Sequence, residues 1–146
     1  GSVAGTKNFH AYYSSDSAAL NQSANTELAF NAEKHDTESV YNTSNGRYTP
    51  GVVGTYYVSS TITVNDINGA GDDLYLKFFI NGNSSGYQYG SSRTAGAGEP
   101  FNQFIASAII PLTSASDYIS AYVYQDAGGN RHAKSELSDF KGFRLT

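Results

Sequence analysis

From Tyr56 to Val64 the side chains alternate, with Tyr56, Val58, Ser60, Ile62 and Val64 on one face and Tyr57, Ser59, Thr61 and Thr63 on the other. A period of two describes a strand that buries one face. The pattern recurs. Leu74, Leu76, Phe78 and Ile80 oppose Tyr75, Lys77 and Phe79, and Ile119, Ala121 and Val123 oppose Tyr118, Ser120, Tyr122 and Tyr124. In each case one face is aliphatic enough for a sheet core while the other is polar or carries tyrosine. Further strands are expected at Asn8 to Tyr13, Glu27 to Ala32, Phe104 to Leu112 and Asp139 to Leu145. Turns are marked at Asn45-Gly46, 68–72, 81–83 and 128–130. Helical periodicity is nearly absent, apart from one possible turn at Ser17 to Leu20. Glu33 to Glu38 reads as a solvated loop, and Gly82 to Pro100 as one long irregular segment, a length at which loops are usually functional.

About eight strands at this spacing leave a jelly roll or an immunoglobulin-like sandwich. The second packs its strands into roughly 100 residues around a buried tryptophan. This chain has 146 residues and no tryptophan. The expected fold is therefore an all-β jelly-roll sandwich of 8–10 antiparallel strands, forming one domain over residues 8–146. Gly1-Ser2 reads as a tag remnant, and residues 1–7 as that remnant with a linker.

Composition excludes several functions. With no cysteine there is neither disulfide nor thiolate site, and a net charge of −4 argues against nucleic acid. No apolar run reaches the ~20 residues of a membrane helix, so membrane insertion is not expected. Charged residues are 15% of the chain, against about 25% in ordinary domains.

The order of short motifs resembles the complement C1q-like globular head, a branch of the tumour-necrosis-factor-like jelly rolls. Phe9 and Ala11 match its first strand, and Leu28, Phe30 and Asn31 its second. Tyr41-Asn42, Gly46, Tyr48 and Pro50 match the turn that follows, and Gly54, Tyr56, Tyr57 and Val58 the next strand. Leu74, Leu76, Asn81 and Gly82 come next, then Leu112, Asp117, Ile119 and Val123. Ser138, Phe140, Gly142, Phe143 and Leu145 close the set, which thus runs from Phe9 to Leu145. Ser116 stands where the family has glycine, and the region of the family's calcium aspartates offers only Glu99. The phrases Arg47-Tyr48-Thr49-Pro50 and Ser116-Asp117-Tyr118-Ile119 look most like the bacteriophage branch, which occurs in tail fibres and other virion proteins.

The resemblance implies a homotrimeric, non-catalytic head at a virion surface or other extracellular location. It would bind a host cell-surface glycan or protein receptor and be joined to the rest of a fibre. A ligand-free trimerisation or decoration module, or the head of a secreted bacterial adhesin, is the alternative. Tyr118, Tyr122 and Tyr124, with Tyr57 and Phe140, are the expected trimer contact, because tyrosine faces suit protein interfaces. The opposite assignment makes the outer tyrosines a ligand platform. On the last strand Phe143 and Leu145 are expected in the core, with Phe140 and Gly142 facing outward.

No catalytic residues are assigned. His10, His35 and His132 fall on separate segments and read as surface histidines, and no serine sits in a nucleophile elbow. Glu33, Asp36, Glu38, Asp72, Asp73, Glu136 and Asp139 read as capping and solvating carboxylates rather than a glycosidase pair. No cofactor is expected. Calcium would draw on Asp66, Asp72 and Asp73, which lack EF-hand spacing. Glycan recognition needs flat aromatic faces with amide, carboxylate or guanidinium partners. Tyr87, Gln88, Tyr89 and Arg93 offer these in one segment, and Gln125, Asp126, Arg131 and His132 in another.

Overall fold

A computed structural model describes residues 6–67, 72–94 and 101–146, with residues 92–94 and 101 described by their backbone alone. Among these residues eleven strands follow in order: β1 (Phe9–Tyr12), β2 (Ala24–Glu27), β3 (Ala32–Asp36), β4 (Tyr41–Asn42), β5 (Arg47–Tyr48), β6 (Gly54–Asn65), β7 (Asp73–Ile80), β8 (Tyr89–Thr94), β9 (Phe101–Leu112), β10 (Ile119–Gln125) and β11 (Asp139–Arg144). They form two five-stranded sheets, ordered β3-β1-β11-β6-β9 and β4-β5-β10-β7-β8. The β1–β11 pairing, Phe9 opposite Gly142, brings the two ends of the chain into the middle of one sheet. Strand β2 lies along β10, with the Leu28 amide donating to the Ala121 carbonyl at 2.9 Å and the Ser23 amide to the Gln125 carbonyl at 2.7 Å.

The period-two faces settle how the sheets meet. Val58, Ile62 and Val64 from β6 are fully buried against Leu74, Leu76 and Phe78 from β7 and Ile119, Ala121 and Val123 from β10. An aromatic cluster fills one end. Phe140 lies 5.0 Å edge-on from Phe9 and 5.8 Å from Phe78, and Phe9 stacks on Tyr41 at 4.9 Å. The tyrosines among them keep their hydroxyls bonded, as burial requires. Tyr48 donates to the Lys7 carbonyl at 2.6 Å, and the Phe30 amide donates to the Tyr41 hydroxyl oxygen at 3.0 Å. Burial pushes the pKa of both phenols up.

The last strand reverses the expectation. Phe140 is wholly buried, whereas Phe143 is 37% exposed and rests on Tyr57 with ring centroids 5.3 Å apart. The cause is Gly142, which lies on the same face as Phe140. A Cβ there would stand 2.9 Å from the Tyr57 carbonyl oxygen and 3.0 Å from Val58 Cγ1, so that face of β11 is the packed one. Phe140 therefore belongs to the core and not to a subunit contact.

Other expectations shift in detail. Residues 28–31 link β2 to β3 instead of forming a strand, although Leu28 and Phe30 are core residues. Glu33 to Glu38 is not a loop: most of it is β3, closed by a 3-10 turn at Thr37–Ser39. Strand β8 lies inside the supposed irregular segment, and Ser17 to Leu20 is not helical. Thr6 and Lys7, expected as linker, are tied down. The Thr6 carbonyl accepts from the Arg144 amide at 3.1 Å, and Lys7 pairs with Glu38 at 2.7 Å. Residues 1–5 lie outside the described residues.

Candidate functional site

The sandwich presents two broad outer faces. On the β3-β1-β11-β6-β9 sheet, strand register arranges the outward side chains in rows. Phe143, Tyr57 and Ile109 form one row, since Tyr57 pairs with both of the others. His35, His10, Lys141, Ser59 and Ser107 form the next, and Asp139, Thr61 and Ile105 the third. Ile105 is 61% and Ile109 59% exposed, unusual for β-branched aliphatics projecting from the middle of a long strand. Between the apolar rows runs a polar belt. Asp139 accepts from Lys141 Nζ at 3.0 Å, lies 3.1 Å from His10 Nε2 and accepts the Thr61 amide at 3.0 Å. His35 faces His10 across the strands with ring centroids 6.4 Å apart. A shallow cleft of about 400 Å³ lies against Tyr57, Phe143, His10 and His35.

The sequence does not foretell the His10–Asp139 pair, whose members are 129 positions apart. Among the described residues no serine or threonine hydroxyl bonds to His10.

The opposite face, on the β4-β5-β10-β7-β8 sheet, carries the remaining tyrosines. Tyr122 covers Phe79 with centroids 4.6 Å apart and donates from its hydroxyl to Glu27 at 3.2 Å. Glu27 also takes Arg47 Nε at 3.4 Å, which holds the guanidinium charged, and Arg47 lies 4.4 Å above the Tyr118 ring. Tyr124 meets Tyr75 edge-on at 5.6 Å, and Lys77 Nζ sits 5.1 Å from the Tyr75 centroid and 5.8 Å from that of Tyr124. The five residues expected at a trimer contact therefore do not form one patch. Tyr57 is on one face, Tyr118, Tyr122 and Tyr124 are on the other, and Phe140 is inside.

The candidate ligand residues also divide. Tyr87 is 81% exposed, resting edge-on against Tyr89 at 5.0 Å, while Tyr89 packs onto the core. Gln88 is exposed, its amide donating to the Ser84 carbonyl at 3.2 Å. The Arg93 side chain lies outside the described residues. Gln125 is a correction: it is fully buried, donating to the Leu20 and Gly129 carbonyls at 2.8 and 2.9 Å and accepting from the Ala127 amide. Arg131 donates to the carbonyls of Asp66, Asn130 and Ala127, and His132 Nδ1 lies 2.8 Å from the Ser17 carbonyl. Asp126 accepts the Asp73 amide at 2.6 Å. These four residues lash the turn after β10 to its neighbours.

Asp66 accepts from the Asn65 side chain at 2.8 Å, and Asp73 starts β7. Among the described residues no three His, Asp or Glu side chains gather in a metal-holding group. Residues 68–71 and Glu99 lie outside the described residues. Among those described, no helix is long and apolar enough to cross a membrane.

No family model and no curated protein matches this sequence. Solved structures do. The globular domain of zebrafish complement 1qA aligns with a TM-score of 0.63 and 16% identity, over 97% of this chain and 98% of that one. Eiger TNF from S. frugiperda gives a TM-score of 0.62 and 15% identity over 95% and 92%. Murine APRIL gives 0.60 and 12% over 94% and 98%. The fold is the jelly roll of C1q- and TNF-type globular domains. At such identity the likeness speaks for architecture alone, so what the two outer faces do must be argued from their residues.

Proposed function

We propose that this chain is a non-catalytic recognition head that assembles as a homotrimer through the outer face of the β3-β1-β11-β6-β9 sheet. The observation that carries this is exposed Phe143 and Ile109 in one row with half-buried Tyr57 between them, and exposed Ile105 two rows on. Exposed apolar side chains gathered on one sheet face are costly in water and are the usual mark of a buried interface. The belt of His10, Lys141 and Asp139 beside it supplies polar groups that fix register between copies. Trimer formation leaves the opposite tyrosine-bearing face for a receptor, and three copies give avidity to a weak single-site contact.

The receptor is a cell-surface glycan, supported by the exposed Tyr87-Gln88 pair beside β8. A place in a phage tail fibre or another virion protein is supported by the sequence phrases at 47–50 and 116–119. Sedimentation or light scattering at micromolar concentration tests the assembly: the mass should be three times the 15.6 kDa of one chain. A monomer there sinks it.

A further inference from the structure

On the face left open by such an assembly, β7 and β8 bound a shallow hollow of about 260 Å³ lined by Tyr75, Lys77, Gln88, Gly90 and Ser91. Its openness has a backbone cause. Gly90 stands opposite Lys77 in the register with φ near +150°, and a Cβ there would overlap the Leu76 carbonyl oxygen, so this position carries no side chain beside Lys77. The hollow is smaller than a drug-sized site and suits about one sugar residue.

Its charge is distinctive. Lys7, Lys134, Lys141 and Arg47 each pair with a carboxylate. Among the described residues Lys77 has none and is held over the rings of Tyr75 and Tyr124 instead. Lys34 is similarly placed over Tyr12, at 4.4 Å, but on the assembly sheet. Among the described residues no carboxylate lines the hollow. Gln88 donates to the Ser84 carbonyl, which leaves its amide oxygen to accept from a sugar hydroxyl, whereas Ser91, paired with buried Leu76, turns its hydroxyl inward to the Ile105 carbonyl.

We infer that this hollow binds the carboxylate-bearing residue of an acidic glycan, a uronate or a sialate. The carboxylate meets Lys77, the apolar sugar face lies on Tyr75, and a hydroxyl group donates to the Gln88 amide oxygen. The inference rests on the reading of the chain as a recognition head, and it extends the glycan contact from the Tyr87-Gln88 pair onto the β7–β8 face.

The test is a titration of the whole chain, followed by amide NMR and calorimetry, with sialyllactose and trigalacturonate against lactose and hexaglutamate. Binding by an acidic saccharide is expected to shift the signals of residues 75, 77, 88 and 91 and to weaken with salt. It should fall about tenfold in Lys77→Gln, as loss of one charge-assisted hydrogen bond implies, and persist in Lys77→Arg. Lactose bound equally well, or Lys77→Gln without effect, overturns the acidic-sugar site. So does hexaglutamate binding as tightly as the sugars, which would mark a peptide site. A blank for all four probes while the trimer mass holds removes the glycan class and leaves the assembled head standing. A blank from a monomeric chain removes both readings.

Discussion

Phe140 and Phe143 are three residues apart on one strand, and the two should answer truncation in opposite ways. Phe140 has no solvent exposure and touches Phe9, Phe30, Tyr41 and Phe78, with ring centroids between 5.0 and 6.1 Å. Truncation to alanine removes an aromatic ring's transfer energy and leaves a cavity that four packed rings cannot collapse into. The cost should lie near the upper end of the usual range for Phe→Ala, about 4–5 kcal/mol. Phe143 is 37% exposed and has Tyr57 as its aromatic neighbour, so in a lone chain its truncation should cost about 1 kcal/mol. Urea unfolding separates the two if run over a hundredfold range of protein concentration. The Phe140→Ala midpoint should fall steeply at every concentration. The deficit of Phe143→Ala should grow as concentration rises, because wild type gains stability by assembly and the variant does not. Equal losses for both variants at low concentration would refute the assignment of faces.

Gly142→Ala places a methyl 2.9 Å from the Tyr57 carbonyl oxygen and 3.0 Å from Val58, and overpacking of this kind should cost about 1–3 kcal/mol in thermal or urea unfolding. Tyr41→Phe leaves the buried Phe30 amide without its acceptor, and a loss of about 1–3 kcal/mol is expected in the same assay. The pKa of Asp117 is held down by the Asn81 side-chain amide and by the Ser114 and Thr113 amides. A carboxylate with a lowered folded-state pKa contributes stability that is present above its unfolded value and is lost as pH falls through the folded one. Wild type should therefore lose stability below about pH 4, while Asp117→Asn should be less stable at neutral pH and show a shallower acid limb. Parallel acid limbs would show that Asp117 is not a source of the dependence.

The long strands were legible because their alternation is regular: both faces of β6, β7 and β10 follow from the period alone. Short strands were not. β3 is made of Ala-Glu-Lys-His-Asp, whose polarity reads as a loop, and it is a strand because β1 pairs with it at a sheet edge. β8 reads as a loop for the same reason, with Tyr89-Gly90-Ser91 paired to β7. On β11 the period was correct and its phase was inverted. Two phenylalanines at i and i+3 cannot both face the core, and Gly142 shows which face is packed only once Tyr57 and Val58 are known to lie against it. The turn after β10 looked like a binding site because it is rich in amide and charged groups. Those groups bond to backbone carbonyls and amides up to 115 positions away, a distance that no local pattern reveals. Lys77 went unnoticed for the converse reason. A lone lysine on a strand is ordinary, and its setting depends on Tyr75, Tyr124 and Gly90 converging from three strands.

In the trimer proposed above, the face bearing Tyr57, Ile105, Ile109 and Phe143 is covered by copies of the same chain. Sedimentation equilibrium of wild type beside Ile109→Asp tests it most directly. A carboxylate at this 59% exposed position costs the folded monomer little but would be stranded inside an interface. The account predicts three times 15.6 kDa for wild type and 15.6 kDa for a folded Ile109→Asp. A wild-type monomer, or a trimer that Ile109→Asp leaves intact, would contradict it.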